Sequence, residues 1–528
     1  IKQRMMKRFN IIKTVSVAAF TTTLLFASCT GNFDELNTHP TDVYPEDMTP
    51  TERVGTLFVA MTRLLNACQE NNSQHTEQMV GQYGGYFATT APWNGTNFGT
   101  FNPSADWVDV PYKDMFTEFY PNFQTIKEST GGTGYIYAWA SILRVGVMLR
   151  VADIYGPIPY SEMGKGEFQV AYDDVKTLYH NMFDDLTRSI NVLSAFVQEN
   201  EGKEVPVAEY DIIYNGDFSK WIKYANSLKL RMAVRIASNT EDTEYAKQMM
   251  AEAIDGGVIE SNDDNAFFPS MPYNPFWIAS DWGDLAINAT LSAYMNGYND
   301  PRISKYMNTS TSYREYRGVR MGIKDTSKSV EGSAARYSKP AVTDASPMPV
   351  FYAAETYFLK AEAALQGWIA GGTAAAKSYY EQGIQISMNQ YGVEIGDYLS
   401  STVVPQGYTD RWNSQNNISF TDIPTVAWEN GSNKLQKIIT QKWIANYPLG
   451  IEAWCDYRRT GYPELFTARD NLSSVGYIGD IDSKRMVRRL PYPTTEKSSN
   501  SANVEAAIAT MLGGPDTGAT DLWWAKKN

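Results

Sequence analysis

The sequence predicts a mainly α-helical protein with one large domain. Three observations support this: apolar residues recur at helical spacing along most of its 528 residues, strand signals are few and short, and no Pro/Ser/Gly linker or charge run divides the chain. Length alone would allow several domains, but it is a soft guide.

The N-terminus reads as an export signal. Lys2, Arg4, Lys7, Arg8 and Lys13 form a basic flank without an acidic residue, and an apolar run follows from Val15 to Phe26. That run is too short for a permanent transmembrane helix and fits a cleaved signal peptide. The chain opens on Ile1, so translation is expected to start at Met5 or Met6. The run ends in Leu25-Phe26-Ala27-Ser28-Cys29, small residues before a cysteine, which suits lipoprotein processing with diacylglycerol on the Cys29 thiol. Phe26 is bulkier than is usual three places before such a cysteine, and an ordinary cleavable signal is the competing reading. Residues 1–28 are therefore assigned as the signal, 29–50 as a polar, Pro-containing tether and 51–528 as the domain. No later stretch reads as a membrane span.

Within the domain, Val54, Leu57, Phe58, Met61, Leu64 and Leu65 lie at helical spacing in a segment running over 53–80. Residues 135–154 are apolar nearly all round, predicting a buried helix that stops at Gly156-Pro157. Helices follow over 174–197, capped by Asp173, and over 220–237, capped by Asp217 or Ser219. Segments 351–368 and 374–390 alternate small residues with large aromatics on either side of a Gly371-Gly372 turn. Such faces let two antiparallel helices approach closely, as in tetratricopeptide-like pairs, although an ordinary helical bundle also meets the pattern. Segments 336–352 and 485–493 read as loops or small hairpins.

Composition narrows the function. The chain carries a formal charge of −13. Losing residues 1–28 would remove only positive charges, which argues against nucleic acid and anionic lipid headgroups as partners. Cys68 and Cys455 are too few for a disulfide framework, and their spacing does not say whether they pair. His39, His75 and His180 lack metal-ligand spacing, so no metal site or cofactor is expected. Walker, G-x-S-x-G and C-x-x-C motifs are absent from the sequence. Gly131-Gly132-Thr133-Gly134 reads as a loop, and Asp184-Asp185 and Asp263-Asp264 as solvated caps in preference to a hydrolase pair. No catalytic residue is assigned.

Aromatic residues are in local excess. Residues 83–123 hold 12 Phe, Trp and Tyr, where the chain-wide 13% would give about five, and 267–298 hold eight. Both stretches also carry Gly, Pro, Asn and Asp, and so read as loops. An exposed ring matches the C–H face of a pyranose while neighbouring amides and carboxylates bond its hydroxyls. On that recipe the candidate ligand-binding residues are Trp93, Asn94, Asn97, Trp277, Asp281 and Trp282.

Several short runs together resemble the SusD/RagB nutrient-binding outer-membrane lipoproteins. They begin with Cys29 and Phe33-Asp34-Glu35-Leu36-Asn37, then Tyr155-Gly156-Pro157-Ile158-Pro159-Tyr160 and Asn299-Asp300-Pro301-Arg302. Phe358-Leu359-Lys360-Ala361-Glu362-Ala363, Glu452-Ala453-Trp454-Cys455-Asp456-Tyr457-Arg458-Arg459 and Arg488-Arg489-Leu490-Pro491-Tyr492-Pro493 follow. The resemblance implies a single domain of four tetratricopeptide-like helix pairs with long irregular ligand-facing loops. It also implies a lipid anchor in the outer membrane, facing the exterior, and a non-catalytic role. Such a protein binds glycan, or in some branches peptide, for a SusC-like TonB-dependent transporter. A peptide-binding or protein-interaction module of the same system is the alternative. Read by their own chemistry, Glu452, Asp456, Arg458 and Arg459 should form a partly buried charge network, and Asp300 should cap a turn while Arg302 reaches a carboxylate.

Overall fold

The computed structural model describes residues 49–66, 74–239, 241–270 and 272–525. The signal over 1–28, the lipidation site Cys29, most of the tether and Cys68 lie outside the described residues. Two compact units make up the chain, residues 1–54 and 55–528. In the first, Thr49 N donates to Glu52 Oε2 at 2.6 Å and Glu52 N to Thr49 Oγ1 at 3.2 Å, a capping box that opens helix α1 (Pro50–Thr62).

In the second unit, Phe58 and Met61 of α1 are fully buried. The helix expected over 53–80 is two helices: α1 passes through a 3₁₀ turn at Arg63–Leu65, and α2 spans Gln74–Tyr83. Strand β1 (Phe87–Thr89) leads to α3 (Ala105–Asp114), which runs through a π-turn at Met115–Phe119 into α4 (Tyr120–Thr130).

The buried helix is α5 (Gly134–Tyr155), its apolar residues facing the core on every side. Among the described residues it is the one helix long and apolar enough to cross a membrane, which corrects the expectation that none would be. It is a core helix: Trp139 within it stacks on Phe58 at 3.7 Å between ring centroids. Gly156 ends it at φ 96°, a left-handed conformation costly for residues with a Cβ.

Helix α6 (Val175–Glu199) is capped by Asp174, whose Oδ1 accepts from Thr177 N at 3.0 Å. Asp173, the expected cap, instead accepts from the Ser161 amide and hydroxyl, tying the preceding loop. Asp217 caps α7 (Phe218–Ile236) through Ser219 N and Lys220 N. Then come α8 (Thr243–Asp255), β2 (Ala266–Phe268), α9 (Pro275–Asp281), β3 (Leu285–Ile287), α10 (Ala289–Gly297) and α11 (Ile303–Tyr306). The chain continues through β4 (Met348–Phe351), α12 (Ala353–Leu365), α13 (Gly372–Gln390), β5 (Gly407–Tyr408), β6 (Ile418–Ser419), α14 (Lys434–Ala445) and α15 (Gly450–Thr460).

Helix pairs form the body. Consecutive helices α5 and α6, α7 and α8, and α12 and α13 pack on each other. Contacts of α6 with α7 and of α7 with α12 join these pairs into an array, and α14 packs on the third pair. Close approach in that pair has a local cause: a Cβ on Gly383 of α13 would lie 2.9 Å from Phe358 Cζ of α12. Helix α15 packs on α2 instead of folding back on α14.

Buried charge locks the array together. Glu452 of α15 takes Arg235, which also grips Asp153 of α5, and lies 3.5 Å from Arg231, itself bidentate to Glu355 of α12 at 2.7 Å. Asp456 accepts from Lys442 at 2.9 Å and Arg459 at 3.0 Å, and Arg459 also holds Glu362. Burial opposes ionisation of Glu452, but Arg231 and Arg235 outweigh it and hold the carboxyl below the usual carboxylate range. Arg458 departs from the expected pattern. It stacks on Trp454 with Cζ 3.7 Å from the ring centroid, and donates to the carbonyls of Asp153 and Arg488. The carboxylate that Arg302 reaches is that of Asp300 itself, at 2.6 Å. Cys455 is a buried free thiol whose ionisation burial pushes up to about 12.

The described strands form three two-stranded antiparallel ladders, β1 with β3, β2 with β4 and β5 with β6. Strand β4 lies in the segment expected to be loop or hairpin, but its partner is β2, far upstream. Residues 485–493 form no strand: the run starts in a turn, with Met486 at φ 58°, and Leu490 N donates to Ile154 O.

Candidate ligand-binding site

Both aromatic-rich loops leave the same ladder. Register pairs Phe87 with Ile287, Ala88 with Ala286 and Thr89 with Leu285. Thr90 extends it, its N–H donating to Asp284 O at 2.9 Å and its hydroxyl to Gly283 O at 2.6 Å. Trp93 therefore begins its excursion three residues past the point where the chain is pinned beside Gly283, and Trp282 immediately precedes that glycine.

Trp93 stands on a minimal hairpin. Its N–H donates to Thr96 O at 3.0 Å, and Thr96 N returns a bond to Trp93 O at 2.9 Å. Asn94 and Gly95 between them have φ 49° and 79°. Both left-handed values match the turn that an Asn-Gly pair favours in two-residue hairpins. The Trp93 ring is 62% exposed, and 6.5 Å from it lies Trp107, which stacks on Phe98.

Helix α9 presents the second set. Asn274 caps it by accepting from Phe276 N and Trp277 N, and Phe276 anchors it by stacking on Phe87 at 4.7 Å. Trp277 and Asp281, four residues apart, share the outward face: Trp277 is half-buried and Asp281 exposed. Trp282 is 46% exposed at the helix end. Exposed Tyr273, 5.7 Å from Trp277, enlarges this surface and was not singled out from the sequence.

Asn97 behaves differently from its neighbours. It is 2% exposed, and its Oδ1 accepts from Gly99 N at 2.7 Å. Its amide shapes the loop from within, which corrects the expectation that Asn97 would be presented to a ligand.

A third group gathers beside the ladder. Trp412 and Tyr337 pack on a cluster containing Ala88 and Ala286, the central pair of β1 and β3. Tyr313, exposed, meets Trp412 edge-on at 5.3 Å, and Tyr337 does so at 5.0 Å. Arg336 Cζ lies 5.5 Å from the Trp412 ring centre and Arg411 Cζ 4.7 Å from that of Tyr313. A cleft of about 520 Å³ opens next to this group, lined by Asn296, Asn299, Tyr316, Arg317, Gln406 and Tyr408 among others. Its volume is within the range of small-molecule sites. None of these residues was singled out from the sequence as ligand-binding. The available signal was the mixture already used for the first two loops, here Tyr313-Arg314-Glu315-Tyr316-Arg317 and Arg411-Trp412-Asn413.

Lys339, two residues past Tyr337, donates from Nζ to Leu285 O of β3 at 2.9 Å. Burial pushes its ammonium down to about 8, opposed by Asp284 and Asp281.

Two of the carboxylates expected to be solvated caps, Asp185 and Asp264, are instead drawn into the scaffold. Asp185 accepts from Tyr160 OH and Arg188, and Asp264 pairs with Lys223 at 2.8 Å. His180 is bonded to Asp242 and stacked on Tyr245. Gly131 is the left-handed cap that ends α4. Among the described residues, no group of three or more His, Cys, Asp and Glu is placed to hold a metal ion.

Comparison with known proteins places this architecture. A SusD-like protein from Bacteroides thetaiotaomicron superposes with a TM-score of 0.84 at 38% identity, covering 90% of this chain and 99% of that one. A SusD homologue from Bacteroides ovatus gives 0.82 at 36%, covering 91% and 100%. A chitin-binding SusD homologue from Flavobacterium johnsoniae gives 0.82 at 35%, covering 90% and 99%. No curated protein matches the chain. The family model for SusD-like proteins, described as Susd and RagB outer membrane lipoprotein, matches residues 35–525. With these matches over nearly its whole length, the chain belongs to the SusD-like family of outer-membrane lipoproteins.

Proposed function

We propose that this protein binds nutrient glycans at the cell surface without catalysis and passes them to a SusC-like TonB-dependent transporter. One observation carries the reading: exposed rings from separate loops, Trp93, Trp282 and Tyr273, are fixed around one ladder with Asn94, Asp281 and half-buried Trp277. Flat apolar faces with a few polar groups suit a sugar ring and its hydroxyls. The chitin-binding relative from Flavobacterium johnsoniae supports carbohydrate as the ligand class. Lipidation of Cys29 would anchor the protein in the outer membrane, facing the exterior.

The test is a binding screen of the mature protein against soluble polysaccharides and oligosaccharides, chitin fragments included, by affinity electrophoresis and calorimetry, with product analysis of every glycan bound. Binding without hydrolysis is expected. Binding of peptides in place of any glycan, or release of sugar products, would overturn the proposal.

A further inference from the structure

The arginines around Trp412 are out of keeping with the rest of the molecule. The chain has a net formal charge of −13, yet Arg314, Arg317, Arg336 and Arg411 all lie by the Tyr313–Trp412 ring pair or next to it in sequence. Three carboxylates accompany them, and each is already engaged. Glu315 is held by Arg317 at 2.9 Å and by Arg411. Buried Asp410 accepts from Tyr337 OH at 3.1 Å, Asn416 Nδ2 at 2.8 Å and Trp412 N at 2.9 Å. Glu331 accepts from Ser327 N at 2.9 Å.

Arg314 and Arg336 are left without a carboxylate among the described residues. Arg336 is half-buried against Trp412, and its five guanidinium donors are spent on no acceptor there. Arg314 is exposed at φ 58°. That left-handed backbone is one that a residue with a Cβ rarely adopts. It is held by Arg314 N donating to Ser310 O at 2.9 Å and Ser310 N to Glu315 O at 2.8 Å. Backbone strain held in place beside unspent donors is the pattern of a ligand clamp. The adjoining cleft supplies Asn296, Asn299 and Gln406 for neutral hydroxyls.

We propose that Arg336 and Arg314, beside Tyr313 and Trp412, bind the anionic group of an acidic glycan, a uronate carboxylate or a sulfate ester. This inference rests on the glycan-binding reading above and names the class of glycan. A guanidinium fork pairs with either anion through two parallel hydrogen bonds. The net negative charge of the chain opposes polyanions, so an anionic ligand needs a local cluster of guanidinium groups such as this one.

The test measures affinity for polygalacturonate and its carboxyl-reduced form, and for chondroitin sulfate and its desulfated form, using wild type, Arg336→Gln, Arg314→Gln, the double variant and Arg336→Lys. At least one acidic polymer is expected to bind about tenfold or more tighter than its neutralised counterpart, and to weaken with added salt. The pair that shows this tells carboxylate from sulfate. In the double variant the preference should fall to within about threefold, with the melting temperature and the affinity for the neutral form unchanged, and Arg336→Lys should keep part of it. Equal or tighter binding of the neutral forms would overturn the inference and leave the glycan reading standing. So would a preference that survives in the double variant. Failure to bind these polymers and every glycan in the wider screen would remove both.

Discussion

Replacing Trp93 by alanine should weaken glycan binding about 30-fold while lowering the melting temperature by only a few degrees. An aromatic side chain presents at most about 250 Å², and Trp93 is 62% exposed, which leaves about 150 Å² of it open to a ligand. A sugar covering half of that face gains about 2 kcal/mol at 25 cal/mol/Å², roughly 30-fold in affinity. The buried remainder, about 100 Å², limits the loss of stability to about 2 kcal/mol, an upper value because unfolded chains bury some of that surface too. With an unfolding entropy of about 2.1 cal/mol/K per residue, a body of this size melts only about 2 °C lower. Trp454 is the control: it is fully buried, so its truncation should cost about 3–5 kcal/mol and lower the melting temperature about twice as far, without a direct effect on binding. Calorimetric titration of the bound glycan alongside scanning calorimetry of both variants separates the cases. Unaltered affinity in Trp93→Ala, or a melting loss as large as that of Trp454→Ala, would refute the reasoning.

Other perturbations follow from the same geometry. Glu452→Gln weakens the attraction for Arg231 and Arg235 inside the core and should cost about 3–5 kcal/mol in urea unfolding; a loss below about 1 kcal/mol would mean that Asp153 and Glu355 suffice for both arginines. Lys339 has a folded pKa of about 8 against 10.5 unfolded, so its burial cost applies fully below pH 8 and is lifted progressively from pH 8 to 10.5. Relative to Lys339→Met, wild type should therefore gain stability over that window, and a pH-independent difference would contradict it. Cys29→Ala should release the protein from the membrane fraction; a variant that still sediments with membranes through salt and carbonate washes would count against lipidation.

Much of the helical body was legible because its signals are local. An all-round apolar run predicted α5, and small residues opposite aromatics predicted the pairing of α12 with α13, since helical periodicity depends only on neighbours in sequence. The acidic composition by itself argued against nucleic acid, and the ordered short motifs pointed to the SusD-like family. Those motifs were also legible as scaffold: Glu452, Asp456 and Arg459 do form the buried network, whereas Arg458 found backbone carbonyls in place of a carboxylate.

The site itself was only partly readable, because exposure depends on long-range packing. Trp93 and Trp454 are the same residue type, one on a hairpin in solvent and the other wholly enclosed. Asn94 and Asn97 lie three residues apart, yet one faces outward on a left-handed turn and the other is turned in to bond Gly99. The Tyr313, Arg336 and Trp412 group draws on three separate segments, and it exists only because β1 pairs with β3 across nearly two hundred residues and gives them a common floor. Composition and periodicity determined that this chain would fold as helices carrying aromatic loops. Which rings remained in water was decided by tertiary packing, because side-chain exposure depends on what the rest of the fold brings against it.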